Sequence, residues 1–204
     1  MQCFGPFSIL QLNGKPGELN GKETLMFSRK NALLLVIDMQ ERILPQIEDA
    51  SNLTNNTIIL IQCCKILNLP VLVTEQYPEG IGPTAAALST DLGQYPKILK
   101  RTFSCCREPL FLKTLETAAR KQIIIAGIET HVCVFQTAAD LLQRGYAVQV
   151  AHDAVGSRTS ANKEIGLARM RAKGVDITSV ESVVFELLET SACAEFKQVL
   201  RLIK

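Results

Sequence analysis

Cys133 is the residue of this sequence whose surroundings best suit nucleophilic chemistry. It follows an apolar run over residues 122–126 that predicts a buried strand, and it stands within Gly127-Ile128-Glu129-Thr130-His131-Val132-Cys133. Thr130 is a suitable helix N-cap, which would put Cys133 at the third helical position. There, unpaired N–H groups and the helix dipole favour a thiolate and can hold the oxyanion of a tetrahedral intermediate. The alternative is a small buried hydrophobic residue, which most free cysteines are.

A carboxylate and a cation stand at the ends of two other predicted strands. Asp38 ends the apolar run over residues 32–37, where an unpaired charge would be costly to bury. Its alternative role is that of an N-cap or turn residue. Lys97, Lys100 and Arg101 all lie at the end of the third predicted strand. Position alone does not choose among these three cations.

The elements that must position these residues alternate along the chain from Asn31 onward. Apolar runs predict strands over residues 32–37, 71–74, 98–99, 122–126, 147–150 and 175–177. Helical periodicity predicts helices over residues 51–69, 109–120, 131–144, 162–173, 178–188 and 194–203. Thr178 and Glu181 have capping-box spacing, and a long irregular stretch with Pro78 and Pro83 follows the second strand.

This alternation predicts a single doubly wound α/β domain, with a six-stranded parallel sheet in the order 3-2-1-4-5-6 and helices on both faces. In such sheets, ligands bind beyond the carboxyl ends of the strands, where the strand order reverses. Strands one and four are neighbours across that reversal. The predicted fold therefore brings Asp38 and Cys133 together although they are far apart in the sequence.

Composition excludes several classes of function. The chain has 204 residues with a net charge of +2, and its 22 basic and 20 acidic residues are scattered, so no basic stripe predicts a nucleic-acid partner. Trp is absent and there are three Tyr, which argues against a base-stacking surface. No run of about eighteen apolar residues predicts a membrane-spanning helix. We therefore expect no nucleic-acid and no membrane partner.

The seven cysteines indicate reduced thiols. Their number is odd, four form the vicinal pairs Cys63-Cys64 and Cys105-Cys106, and no secretory signal precedes them. No C-x-x-C pair is present and the histidines are His131 and His152, so a zinc site is not expected. We predict a cytoplasmic protein, with a mitochondrial location as the alternative. Residues 1–29 are predicted to be an N-terminal extension or arm, and residues 30–204 the domain.

Five segments of the chain together resemble the isochorismatase-like cysteine hydrolases, over about residues 30–204 and in the same order. The resemblance is closest to the isochorismatase-domain-containing branch rather than to true isochorismatases or nicotinamidases. The matching segments are Leu35-Val36-Ile37-Asp38-Met39-Gln40, Val73-Thr74-Glu75-Gln76-Tyr77-Pro78, Lys100-Arg101-Thr102-Phe103-Ser104-Cys105, Gly127 to Val134, and Ala151-His152-Asp153-Ala154 with Ser157-Arg158.

The resemblance implies a catalytic triad of Asp38, Lys100 and Cys133. Asp38 would be the general base, Lys100 would lower the pKa of the thiol and orient the reacting groups, and Cys133 would form a covalent acyl-enzyme that water hydrolyses. The resemblance also implies a non-proline cis peptide at Ile128-Glu129. The backbone N–H groups of Glu129 and Cys133 would then form the oxyanion hole.

Two departures from the family pattern narrow the expected chemistry. Nicotinamidases have an Asp and two His as metal ligands after the second strand, whereas this chain has Thr74 to Glu79, so no metal and no cofactor is expected. His131 stands where amidase members often have Asp. Proximity to the triad suggests a set of substrate-binding residues. These are Met39, Gln76, Tyr77, Phe103, Thr130 and His131.

The predicted function is metal-independent hydrolysis of a small amide, ester or related substrate through a covalent Cys133 intermediate. The alternative is a catalytically silent binding or scaffold protein that keeps the fold, and a nuclease is less favoured because neither a paired carboxylate metal site nor a basic groove is visible. The expected partners are a small-molecule substrate and further copies of the chain. By resemblance, the homo-oligomer is a dimer or larger.

Overall fold

A parallel sheet forms the centre of the computed structural model, which describes residues 26–204. Its order is β3-β2-β1-β4-β5-β6, and all five strand pairs are parallel. This confirms the predicted fold class and strand order. The strands are β1 (Ala32–Ile37), β2 (Val71–Gln76), β3 (Lys97–Lys100), β4 (Gln122–Ile128), β5 (Ala147–Gly156) and β6 (Asp176–Thr178).

Eight α-helices cover the sheet within the described residues. They are α1 (Ala50–Ile66), α2 (Pro78–Ile81), α3 (Ala86–Leu92), α4 (Pro109–Ala118), α5 (Phe135–Gln143), α6 (Ser160–Ala172), α7 (Val180–Leu188) and α8 (Phe196–Ile203). Side chains of α1, α3, α7 and α8 fill the core on one face of the sheet, and those of α4, α5 and α6 fill the core on the other. None of the helices in residues 26–204 is long and apolar enough to cross a membrane.

Strand β1 supplies side chains to both cores. All six of its residues are buried, as expected for a strand covered on both faces. Because successive side chains of a strand point to opposite faces, Leu34 and Val36 pack under α1, while Leu35 and Ile37 pack under α4 and α5. The central position of β1 fixes where the residue after it, Asp38, leaves the sheet.

Several element boundaries differ from the predictions. The stretch after β2, predicted to be irregular, contains α2 and α3, and β5 continues to Gly156 through a register shift against β4. The predicted capping box at Thr178 and Glu181 is wrong, because Thr178 belongs to β6 and Ser179 caps α7 by accepting a hydrogen bond from the N–H of Ser182. Strand β5 extends beyond the apolar run over residues 147–150 because it pairs with β4 on one side and with β6 on the other.

The predicted arm over residues 1–29 lies mostly outside the described residues. Its last part, from residue 26, contacts the domain: Phe27 is buried, and the guanidinium of Arg29 donates to the carbonyl of Leu187 at 2.9 Å. The boundary at residue 30 stays a prediction. Within the described part of the chain, residues 26–29 pack against α7.

Gly127 lets β4 approach β1 closely at the end that carries the candidate site. It pairs with Ile37 and has a φ of +122°, which L side chains rarely adopt. A Cβ atom built on Gly127 would lie 2.1 Å from the carbonyl oxygen of Ile37, a backbone atom that cannot move aside. The residue type at position 127 therefore sets the distance between the end of β1 and the turn after β4.

Replacing Gly127 with alanine should cost roughly 3 kcal/mol or more in the free energy of unfolding, because backbone strain and a backbone clash act together. The measurement is urea denaturation at equilibrium. Gly145→Ala is the control, since Gly145 also has a positive φ, of +80°, but nothing lies within 4 Å of the position that a Cβ atom would occupy there. That variant should lose about 1 kcal/mol. Equal losses in the two variants would contradict the role of close strand approach.

Candidate active site

An ion pair between Asp38 and Lys100 lies at the carboxyl ends of the central strands. Asp38 directly follows β1 and Lys100 ends β3, so the two residues are separated by β2. The Lys100 Nζ atom lies 2.5 Å from Asp38 Oδ2, and both side chains are almost completely buried. The other carboxylate oxygen, Oδ1, accepts a hydrogen bond of 2.7 Å from the hydroxyl of Thr74 on β2. Asp38 is therefore held on both oxygens.

The structure distinguishes among the three cations that position alone left open. Besides Asp38, the Lys100 ammonium donates to Gln76 Oε1 at 2.8 Å and lies 3.3 and 3.4 Å from the carbonyls of Thr102 and Phe103. Lys97 instead points its ammonium at the carbonyls of the preceding loop, and Arg101 is exposed. The cation that contacts Asp38 is thus Lys100.

Cys133 lies in a π-helical turn, Thr130–Val134, between β4 and α5. The prediction that Thr130 caps an α-helix beginning at His131 is wrong. Glu129 is the N-cap residue, Cys133 is the fourth residue of the π turn, and α5 begins at Phe135. Bonds from the N–H of Val134 to the Glu129 carbonyl and from Phe135 to the Thr130 carbonyl widen this turn. Such single π turns are frequent at functional sites.

The surroundings of Cys133 favour the protonated thiol. Burial raises its pKa most strongly, and the negative charge of Asp38 raises it further, both directly and through a hydrogen bond; Lys100 acts in the opposite direction. Lys100 thus lowers the pKa of the thiol, as predicted, but burial and Asp38 outweigh it. A contribution from the helix start stays a prediction. Burial lowers the pKa of Lys100, but Asp38 and the neighbouring thiols outweigh it, so its pKa is raised and its charge is kept.

The backbone N–H groups of Glu129 and Cys133 are the ones predicted to form an oxyanion hole. The Ile128-Glu129 peptide is cis, as predicted. Among the described residues, no acceptor takes the N–H of Glu129, while the Glu129 carbonyl accepts from Val132 and Val134 at 3.0 and 3.2 Å. The N–H of Cys133, between these two donors, makes no bond to that carbonyl. An oxyanion role for the Glu129 and Cys133 N–H groups stays a prediction.

The side chains of Glu129 and His131 belong to a second polar cluster, separate from the Asp38–Lys100 pair. Arg158, after β5, donates to the Glu129 carboxylate through its backbone N–H at 3.1 Å and through Nε at 3.1 and 3.2 Å. His131 Nδ1 lies 3.0 Å from the hydroxyl of Ser157 and 4.0 Å from Glu129 Oε2. His131, predicted to bind substrate, therefore contacts this cluster rather than Asp38 or Lys100.

The other predicted substrate-binding residues have different surroundings. Gln76 contacts Lys100 directly, so its first role is to orient the cation. Tyr77 is partly exposed and stacks under the Arg101 guanidinium, with 4.1 Å between Arg101 Cζ and the ring centre. The ring of Phe103 is about half exposed. Substrate binding by these three residues stays a prediction.

Thr130 and Met39 are both fully buried. The Thr130 hydroxyl has no hydrogen-bond partner within residues 26–204, so it is free to bond a group that enters the site. Met39 packs in the core under α1, on the opposite face of the sheet from Cys133. The structure therefore offers an argument for a substrate contact at Thr130 but none at Met39.

Sequence reasoning missed three side chains that build the site. Thr74 holds Asp38, and its register opposite Ile37 on neighbouring strands was the available signal. Gln40 is fully buried, and its amide bridges the backbone of Gln76 to the carbonyl of Gly82. Cys105 is buried with its sulfur 4.0 Å from the Thr74 hydroxyl, and burial raises its pKa to about 11. Nothing in the vicinal cysteine pattern indicated this placement.

Metal ligation has little support from the side chains around the site. In residues 26–204, no group of three or more His, Cys, Asp or Glu side chains has an arrangement that could hold a metal ion. At the position where nicotinamidases place metal ligands, Gln76 orients Lys100 and Glu75 accepts bonds of 2.7 and 2.6 Å from the backbone and hydroxyl of Thr84. The metal-independent chemistry stays a prediction.

Comparison with known families gives a match over most of the chain. Residues 32–182 match the family described as the isochorismatase domain. Isochorismatase domain-containing protein 2 of Danio rerio is 37% identical over 176 residues, which cover 86% of this chain and 88% of the relative.

Solved structures are similar over a comparable length. The structure of MAR1 ribonuclease from Caenorhabditis elegans has a TM-score of 0.82 and 36% identity, covering 87% of this chain and 91% of that chain. YcaC from Pseudomonas aeruginosa, solved with hexane-2,5-diol and covalent acrylamide, has a TM-score of 0.82 and 27% identity over the same shares. The Escherichia coli YcaC product, an octameric hydrolase of unknown specificity, has a TM-score of 0.78 and 26% identity, covering 82% and 84%.

The raised pKa of Cys133 predicts how iodoacetamide labels it. Since only the thiolate reacts, labelling at about pH 8 should be slow, and its rate should rise by about tenfold per pH unit as the pH increases toward the pKa. Asp38→Asn removes a negative charge, so the pKa falls and labelling should accelerate by about tenfold or more. Lys100→Met should have the opposite effect. The measurement is peptide-resolved mass spectrometry over a pH series.

Cys193, which is half-buried and packs against the core on the α1 face of the sheet, serves as the internal reference in the same digests. Circular dichroism checks that the Lys100 variant is folded, because its Asp38 carboxylate is left buried and unpaired. Slower labelling of Cys133 in Asp38→Asn would show that Asp38 does not raise the pKa of the thiol.

Proposed function

The chain belongs to the isochorismatase family, and we propose that it is a metal-independent cysteine hydrolase acting on a small amide, ester or related carbonyl substrate. The observation that carries this proposal is the Asp38 carboxylate, which Lys100 and Thr74 hold on its two oxygens and which also acts on the Cys133 thiol. A fixed base beside a neutral thiol is the arrangement that nucleophilic catalysis requires. The natural substrate stays open.

The proposed reaction begins with a protonated nucleophile. As the Cys133 sulfur attacks the carbonyl carbon, its proton passes to Asp38, and the carbonyl electrons move onto the oxygen. The N–H groups of Glu129 and Cys133 receive this oxyanion. When the intermediate collapses, the proton on Asp38 goes to the leaving nitrogen or oxygen, and an acyl thioester remains on Cys133.

Water completes the reaction. Asp38, ionised again, takes a proton from the water that attacks the thioester carbon. The tetrahedral intermediate then collapses with cleavage of its carbon–sulfur bond, the carboxylic acid product leaves, and the proton on Asp38 restores the Cys133 thiol. The Lys100 ammonium stays charged throughout, because its raised pKa keeps it protonated and its donors are fixed on Asp38 and Gln76. Lys100 therefore balances the charge that moves between sulfur and carboxylate.

The comparisons support this proposal to different degrees. The Pseudomonas aeruginosa relative holds covalent acrylamide, a small unsaturated amide, and the Escherichia coli relative is a hydrolase. The octameric state of the latter favours our proposal that this chain also forms a homo-oligomer. A cytoplasmic location, with a mitochondrial one as the alternative, remains a proposal from the sequence.

RNA hydrolysis is a second candidate, favoured by the ribonuclease name of the Caenorhabditis elegans relative. The near-neutral net charge of +2 gives little electrostatic attraction for a phosphate backbone. We therefore rank small-molecule hydrolysis first. The catalytically silent scaffold is less favoured, because the costly burial of a charged pair at strand ends is unnecessary for a fold that only binds.

A screen of small amides and esters, with an RNA arm, tests the proposed function. Cys133→Ala should reduce any turnover to background, and Asp38→Asn should reduce it by about a thousandfold, since both the nucleophile and its base are needed. Mass spectrometry of rapidly quenched reactions should find the acyl group on the peptide that contains Cys133.

Cys193→Ala is the matched control for removal of a thiol and should keep full turnover. Carbonyl hydrolysis that survives Cys133→Ala would contradict the mechanism. RNA cleavage that requires Asp38, without any carbonyl hydrolysis, would replace it with the second candidate. A folded protein that turns over neither class would favour the scaffold.

A further inference from the structure

The Glu129 carboxylate is a buried charge that the proposed reaction does not use. Its side chain is 7% exposed, and a carboxylate so far removed from water is retained only with strong partners. Glu129 is also the residue whose backbone N–H is proposed to receive the oxyanion. One residue thus joins an ion pair, whose Arg158 side chain is 56% exposed, to a proposed catalytic backbone group.

Arg158 is the partner that fixes this carboxylate. It reaches Glu129 through its backbone N–H at 3.1 Å and through its guanidinium Nε at 3.1 and 3.2 Å, so both carboxylate oxygens are held. Charge-assisted hydrogen bonds with such fixed geometry are strong and directional. These hydrogen bonds join the turn after β4 to the segment after β5. The two strands end side by side there, with Ile128 of β4 paired with Gly156 of β5.

The rest of Glu129 is anchored in the turn that carries the nucleophile. Its carbonyl accepts from Val132 and Val134, on either side of Cys133, and its own N–H has no acceptor among the described residues. The carbonyl and the carboxylate of Glu129 are therefore both held in place, and this fixes the orientation of its unbonded N–H. Such fixed orientation is what gives an oxyanion donor its value.

We infer that the Glu129–Arg158 ion pair is a positioning device that orients the Glu129 N–H toward the developing oxyanion. This inference rests on the proposed function, because it assumes carbonyl chemistry at Cys133. Arg158 is a positioning residue rather than a catalytic one, since it acts through Glu129. His131 completes the cluster, with its Nδ1 atom 4.0 Å from Glu129 Oε2 and 3.0 Å from the Ser157 hydroxyl.

Two alkylating reagents separate this role from a merely structural one. Acrylamide adds through its β-carbon: the Cys133 sulfur forms the new bond, the thiol proton goes to Asp38, and the π electrons move onto the carbonyl oxygen as an enolate, which then takes that proton at the α-carbon. An oxyanion donor stabilises this enolate. Iodoacetamide reacts by displacement of iodide, and no charge develops on its carbonyl oxygen.

Arg158→Gln should therefore lower the rate of acrylamide addition to Cys133 by about tenfold or more while leaving the iodoacetamide rate within about twofold. Glu129→Gln should change the ratio of the two rates in the same direction. Arg158→Lys, which keeps the charge but not the fixed planar geometry, should restore part of the ratio. Both rates are measured for the Cys133 peptide by mass spectrometry.

The ion pair between Arg29 and Glu195 supplies the controls, because its 3.1 Å separation is similar and it lies away from the site. Arg29→Gln and Glu195→Gln should leave the ratio unchanged. If both rates fall together in Arg158→Gln, or if neither changes, the positioning role is wrong and the proposed function stands. If unaltered protein fails to add acrylamide at Cys133, the proposed function fails and the positioning role with it.

Discussion

A carboxylate buried at the end of the central strand must be neutralised, and this requirement governs the whole candidate site. Asp38 leaves an apolar strand that is covered on both faces, so no solvent can compensate its charge. Thr74 and Lys100 come from β2 and β3, on one side of β1, and Cys133 comes from the turn after β4, on the other side. Segments on both sides of β1 thus act on the same carboxylate.

This arrangement depends on how closely the strand ends approach one another. The glycine at position 127 allows β4 to lie against Ile37, and the π turn that follows contains Cys133. On the β2 side of β1, the Gln40 side-chain amide donates to the carbonyl of Gln76 and accepts from its backbone N–H, which fixes the chain at the end of β2. The sheet therefore brings the candidate site residues close together, whereas the short polar segments after the strands orient their side chains.

The sequence was sufficient to predict the sheet order and the meeting of Asp38 with Cys133, because burial patterns and the rules for parallel sheets determine which strand ends lie together. It was insufficient where local patterns compete with tertiary contacts. Thr130 resembles an N-cap, yet bonds from Val134 and Phe135 produce a π turn in which Glu129 takes that place. Proximity in sequence to Asp38 also selected Met39, although the chain leaves the extended conformation at Asp38, whose φ is +54°, and Met39 packs in the opposite core.

The protonation state of Cys133 was beyond sequence reasoning for a different reason. A helix start and a nearby lysine both favour a thiolate, but their effect is set against the loss of water and the negative charge of Asp38, and those quantities depend on the folded environment. The role of Thr74 was in principle accessible from the strand register. The contact between Glu129 and Arg158 could not be predicted from the sequence, because it depends on the path of the chain after β5.

The neutral state of Cys133 has a consequence for the durability of the protein. Peroxides oxidise thiolates far faster than thiols, and over-oxidation of a nucleophilic cysteine to a sulfinic acid is in most proteins irreversible. In the mechanism that we propose, the thiol loses its proton only as the sulfur attacks a bound carbonyl group, so it spends almost no time as the vulnerable thiolate. The burial that raises the pKa of Cys133 would therefore also protect its sulfur from oxidation between reactions.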